Sequence, residues 1–280
     1  MRRGGMFTPD HAAAINRYVF YVGAPALIFT ILVSVPVDTI IWPVLFRYLA
    51  AEVATYLIVA ALAYFVFRRD ARESILLGMA ASFANHVFFV RPIAIFLYGP
   101  SAVDPISGIV LLDVLVFCST VFAMDFLSPE NKGIGSALRS LGRNPFVYIP
   151  LLAAAYLVLG QLAPSGILTY ASFAGASASP ASLFTLGIIL AGLQLGRIGL
   201  LIWIVVLGKL VLHPLLFWLA APAVTLTGVW GIVPLLVAAG PCGAMAFVIA
   251  MQYGVKTELI AKAILISTIL SVFSLSVLAQ

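Results

Sequence analysis

Nine apolar runs, each about 20 residues long and joined by short connections, follow one another along this chain. A helix of that length rises about 30 Å, the thickness of a bilayer's hydrocarbon core. Lipid offers no partner to a free amide or carbonyl, so a succession of such runs has one solution: a bundle of membrane-spanning helices. The runs cover residues 12–35, 41–67, 74–98, 105–125, 145–161, 168–192, 199–219, 232–252 and 258–278. With 63% hydrophobic and 9% charged residues among 280, the composition excludes a soluble domain. A net charge of +5 could point to nucleic acid, but the basic residues lie in the connections between runs, so nucleic acid is excluded as a partner.

The placement of those basic residues predicts an orientation. Arg2 and Arg3, then Arg68, Arg69 and Arg72, then Lys132, Arg139 and Arg143, then Arg197, then Lys256 occupy every second connection. The connections between them carry Asp38 and Asp104 and no Lys or Arg. The positive-inside rule then puts the N-terminus in the cytoplasm and, after nine spans, the C-terminus outside. The longest cytoplasmic connection, 126–144, divides the chain into a first unit, 1–125, of four spans and a second, 145–280, of five; its Leu138, Arg139, Leu141 and Arg143 suit a short interfacial helix. Cys118 and Cys242 fall within spans and are read as small packing groups, not as a disulfide.

Two runs contain residues that a lipid-facing helix does not tolerate. The third holds Asn85, His86, Arg91 and Pro92. Pro92 has no N–H, and its ring crowds the carbonyl of Phe88, so a break is expected over residues 85–92. If Asn85 is helical, His86 lies about 100° round from it, and the two face different surfaces. The eighth run contains Gly240-Pro241-Cys242-Gly243 between alanines. Paired interruptions in two halves of a membrane protein point to an inverted-repeat transporter whose substrate site lies where the broken helices cross. The breaks fall in the third of four spans and the fourth of five; one more helix before Met1 would bring them into register, so the chain is read as one helix short.

Several buried charges need partners. Arg91 at bilayer depth costs about 2.5–3.5 kcal/mol on insertion scales, which calls for an anionic ligand or an ion pair with Glu52 or Asp113. Lys209 stands about 15 Å of helix from the cytoplasmic side, too far to snorkel, with His213 on the same face four residues later. Lys262, a turn inside its span, is expected to snorkel. Half-helix N-termini at a crossing offer free amide donors and the positive end of a dipole, an anion site.

Long stretches of the chain resemble the auxin efflux carrier family, and within it the malonate-transporter-like permeases of bacteria. The matching segments are Asn16 to Phe29, Asn85 to Pro92, Ser179 to Gly187, Gly208 to Pro214, and Gly240-Pro241 followed by Phe247 to Gly254. The resemblance implies ten helices in two inverted five-helix repeats, two crossed broken helices in a transport domain, and an elevator movement against a scaffold domain. It also implies transport of small organic anions. Arg91 departs from the family, many members of which carry a small or apolar residue there.

The expected protein is an all-α secondary transporter of a mono- or dicarboxylate in a bacterial inner membrane, with the bilayer and a small organic anion as partners and a homodimer as an option. Substrate contacts are expected from Asn85, Arg91, Pro92, Lys209, Gly240, Pro241 and Gly243, and proton coupling from Glu52, Asp113 and His213. The chain shows no phosphate-binding loop, no paired aspartates in a span and no metal-ligand spacing, so no cofactor, metal or catalytic residue is assigned. Two rival readings stay open: a non-transporting or regulatory membrane component, and an intramembrane enzyme using His86, Glu52 and Asp113 as acids and bases.

Overall fold

Helix starts in this chain are written in caps and prolines. Thr8 caps the first helix by accepting the His11 amide, with Pro9 in the first turn; Asp70 accepts the amides of Arg72 and Glu73 at the start of another. The computed structural model describes residues 7–35, 37–128, 135, 145–162, 164–191, 198–220 and 228–278. Its helices are α1 (Pro9–Ser34), α2 (Trp42–Val66), α3 (Ala71–Ser82), α4 (Arg91–Tyr98), α5 (Pro100–Phe126) and α6 (Pro145–Leu159). They continue with α7 (Ser165–Ala176), α8 (Ala178–Leu190), α9 (Leu200–Leu219), α10 (Val229–Ala238), α11 (Met245–Gln252) and α12 (Glu258–Leu278). The pairs α3/α4, α7/α8 and α10/α11 each divide one predicted run, and the other helices fill one run each. The interfacial helix expected within 126–144 falls largely outside the described residues.

Three prolines inside these spans are absorbed by widened turns. The π turns Val19–Gly23, His86–Val90 and Gly208–Leu212 stand just before Pro25, Pro92 and Pro214. In each, the residue ahead of the proline donates its amide to the carbonyl five positions back: Ala24 to Val19, Arg91 to His86, His213 to Gly208. The extra residue in the turn gives the pyrrolidine ring room beside the preceding turn. Pro92 therefore does not break its helix, which corrects the expectation from sequence. The interruption comes earlier, at extended Phe83 (ψ 121°) and non-helical Asn85 (φ −83°, ψ 59°).

The helices sort into two packed groups. α1 lies against α6, α7 and α8. The second group is built on α2, α3, α5, α9 and α10, with α4, α11 and α12 packed into it. α5, α11 and α12 also touch the first group, along the boundary between the two. Within the second group, α3 and α11 share one apolar core with α9 and α12, while α4 and α10 share another with α2 and α5. The two breaks lie where these cores meet.

Candidate functional site

The interrupted strands of the two broken helices pair with each other. Asn85 donates its backbone amide to the Pro241 carbonyl at 2.9 Å, and Gly243 donates to the Phe83 carbonyl at 2.8 Å, an antiparallel bridge centred on Ala84 and Cys242. Each break thus supplies the partners the other lost, as backbone buried among helices requires. The approach depends on missing side chains: a Cβ on Gly243 would lie 2.9 Å from the Ala84 carbonyl oxygen, and one on Gly240 2.5 Å from Val90 Cγ2. The crossing expected from sequence is present, made by residues 83–85 rather than 85–92.

The remaining polar groups of the second break are held from outside. Lys209 Nζ donates to the carbonyls of Val237 (3.2 Å) and Ala238 (2.5 Å), the last residues of α10. Cys242 donates its amide to Ser267 Oγ at 3.1 Å, and Ser274 donates to the Ala239 carbonyl at 3.1 Å, both from α12. Helix C-termini leave four carbonyls without partners and carry negative dipole charge, so an ammonium is well matched to this end. Lys209 is fully buried and also contacts His213 Nδ1 at 3.2 Å; the His213 imidazole packs against the Tyr48 ring.

Around the first break lies an ionisable set. His86 Nδ1 sits 2.8 Å from the Ala84 carbonyl, which can only accept, so that nitrogen carries hydrogen. Nε2 then faces Asp113 Oδ2 at 3.3 Å. An attractive contact there needs a second proton, on the imidazole or on the carboxyl. Behind Asp113, Glu52 approaches the same carboxyl group and is wholly buried, and Lys209 feels both charges at longer range. Among the described residues, neither Glu52 oxygen has a hydrogen-bond donor.

A cavity opens beside the crossing. Asn85, His86 and Asp113 line it from the second helix group, together with Gly243, Ala244 and Met245 at the start of α11. Leu27, Ile28 and Ile31 of α1 and Ser182 of α8 line it from the first group. The cavity therefore lies on the boundary between the groups. First-turn amides of α11 and of the π turn after Asn85 have no intrahelical partner, and both helix starts face it.

The residues singled out from sequence divide accordingly. Asn85 and His86 line one cavity together; the expectation that they face apart fails because Asn85 lies in the break, outside helical geometry. Gly240, Pro241 and Gly243 build the crossing, while Glu52, Lys209 and His213 support it from behind. Arg91 and Pro92 are exposed and absent from the cavity lining, and Arg91 pairs with neither Glu52 nor Asp113. The exposed end of α4 dissolves the need for the buried partner expected there. Lys262 does not snorkel but is buried and bonded to Glu258 at 2.6 Å. Ser182 was not singled out as a site residue; a serine in a run of small and apolar residues carries no signal that separates a cavity wall from a helix contact.

The sequence model of the family described as "Membrane transport protein" matches residues 1–134 and 132–279. A protein of Rhizobium meliloti (strain 1021) described as "Putative malonate transporter" is 28% identical over 272 residues, covering 92% of this chain and 83% of that protein.

Proposed function

The chain belongs to the membrane transport protein family, the auxin efflux carriers, and from that premise we propose that it is a secondary transporter moving a small organic anion, a mono- or dicarboxylate, by an elevator movement. The observation that carries the proposal is the cavity itself. It is bounded on one side by both crossed breaks and on the other by α1 and α8. A substrate held at the crossing would travel with the second helix group past the first, which is the geometry alternating access needs. The substrate carboxylate would bind the first-turn amides of the two half-helices and the Asn85 carboxamide, which makes no hydrogen bond to a described residue. The relative's name favours malonate as one member of the class.

Glu52, Asp113 and His213 are the proposed proton carriers. Support is strongest for Asp113, which borders the cavity and shares a contact with His86 that a proton must mediate. Bringing an anion beside this carboxyl is easier when it is protonated, so anion and proton would bind together. The positive-inside pattern supports a cytoplasmic N-terminus in a bacterial inner membrane, and two inverted units, 1–125 and 145–280, joined through 126–144. Counterflow of labelled carboxylates into liposomes loaded with unlabelled substrate tests the proposal. Uptake that needs the protein and internal substrate supports a carrier; its absence across a broad carboxylate set removes the transport reading.

A further inference from the structure

His86 is joined at once to the crossing and to a buried carboxyl group. Its Nδ1 donates to the Ala84 carbonyl at 2.8 Å, at the centre of the bridge between the two breaks, while Nε2 stands 3.3 Å from Asp113 Oδ2 of α5. The ring is buried and packs against Phe83, which holds it between these partners. A neutral imidazole has one N–H, and here an oxygen acceptor faces each nitrogen. With one further proton in the contact, on Nε2 or on Asp113, both contacts are attractive. Without it one of them fails. A hydrogen on Nδ1 leaves the Nε2 lone pair against a carboxylate, and a hydrogen on Nε2 leaves the Nδ1 lone pair against the Ala84 carbonyl.

The ionised carboxylate is the stronger acceptor of the two, so on proton loss the remaining hydrogen goes to Nε2 and the bond to Ala84 is given up. Asp113 borders the cavity, which gives the released proton its way out. Resting on the transport reading above, we infer that His86 is a positioning residue: it ties the protonation of Asp113 to the geometry of the crossing, so that proton release withdraws the donor from Ala84 and loosens the paired breaks. The second break has no such dependence on this proton. Its carbonyls at Val237, Ala238 and Ala239 and its amide at Cys242 are held by Lys209, Ser274 and Ser267 from α9 and α12. The first break is therefore the side of the crossing that gives way. The charged groups facing the His86–Asp113 contact are Glu52 of α2 and Lys209 of α9; Tyr48 and His213 stand behind them, and the Cys242 thiol lies near Lys209. Across the cavity, α1, α8 and α11 present no titratable group among the described lining residues.

Amide hydrogen exchange of the full chain in lipid nanodiscs, without substrate, tests the inference apart from transport. The reporters are the Asn85 and Gly243 amides, which join the two breaks. They are followed from about pH 5 to about pH 9, a range that brackets ordinary histidine titration, after correction for the intrinsic pH dependence of exchange. In the parent, their protection should fall about tenfold as pH rises, the scale of one buried hydrogen bond. Asp113→Asn offers an amide donor to Nε2 at every pH, so its bridge should stay protected throughout. Two further variants divide the ring: an asparagine amide stands where Nδ1 stood, and a glutamine amide where Nε2 stood. His86→Asn should keep the bridge protected across the range, and His86→Gln should lower protection at every pH. Apo melting temperatures show which variants fold, and the Asp113→Asn comparison decides where a His86 variant does not. Protection that stays constant with pH in the parent, pH dependence that survives in Asp113→Asn, or a folded His86→Asn no better protected than His86→Gln overturns the inference and leaves anion transport standing. Counterflow is measured on the same preparation. Its absence across a broad carboxylate set removes the transport reading and this inference with it.

Discussion

Lys209 reaches the carbonyl of Ala238, 29 positions along the chain, and so ties the middle of α9 to the last turn of α10. A buried lysine in a transporter invites a substrate role, but this one is spent on backbone. Replacing it by methionine keeps much of the volume and strands the carbonyls of Val237 and Ala238 in a dry site. Each unpaired buried group costs about 1–3 kcal/mol, so Lys209→Met should lose about 2–6 kcal/mol without any substrate present. Unfolding of the apo protein measures this. An unchanged apo melting temperature with weakened anion binding would return Lys209 to the ligand shell.

Gly243 and Gly187 make a matched pair for testing the crossing. A methyl group at Gly243 meets Phe83 Cδ1 at 2.8 Å and the Ala84 carbonyl oxygen at 2.9 Å, whereas one at Gly187 has nothing within 4 Å. Overpacking of rigid backbone costs about 1–3 kcal/mol, so Gly243→Ala should lower stability by that amount and impair counterflow by parting the two breaks. Gly187→Ala should stay within about 0.5 kcal/mol of the parent. Equal effects of the two variants would mean that the crossing tolerates separation.

If Asp113 carries the coupled proton as proposed, transport depends on pH. Groups facing Asp113 are His86 at 3.3 Å, Glu52 and, farther off, Lys209. If anion and proton bind together, apparent affinity for the anion rises as pH falls, and an inward proton gradient accelerates uptake. Asp113→Asn retains the shape, removes the ionisable carboxyl and should flatten the pH profile of affinity. His86→Gln should shift the profile without abolishing it. A profile in Asp113→Asn identical to the parent's would move coupling to another group or remove it.

The spans and the second break were legible because their causes are local. Lipid sets the length of every run, and Gly240-Pro241-Cys242-Gly243 cannot continue a helix among neighbours that close. The first break was misplaced because Pro92 was judged by the spacing of an α-helix, while the chain widens to a π turn ahead of Pro92, as it does ahead of Pro25 and Pro214. What interrupts the helix at Phe83 is pairing with Gly243, a contact across 160 positions that no local pattern encodes. The shared face of Lys209 and His213 followed from four-residue spacing, but the carbonyls that engage the lysine did not. Ser182 joins the cavity through the packing of α8, which a sequence of small residues does not reveal.

Arg91 is the residue for which local reading and fold diverge most. Its proximity to Pro92 in an apolar run suggested a deep cation waiting for a carboxylate. The fold places the break at residues 83–85 instead, so Arg91 stands beyond the π turn on an exposed surface, without an ion pair to any described residue and outside the cavity lining. Substituting an exposed side chain that holds no partner shifts stability by no more than about 0.5 kcal/mol. Arg91→Ala should therefore melt with the parent protein and bind carboxylates with the same affinity, in contrast to Asn85→Ala, which removes a cavity-lining amide and should weaken binding about tenfold, the cost of one lost hydrogen bond to a charged group. Competition measurements on the two variants under identical conditions decide it. A large affinity loss in Arg91→Ala, with normal melting, would bring the arginine into the substrate path.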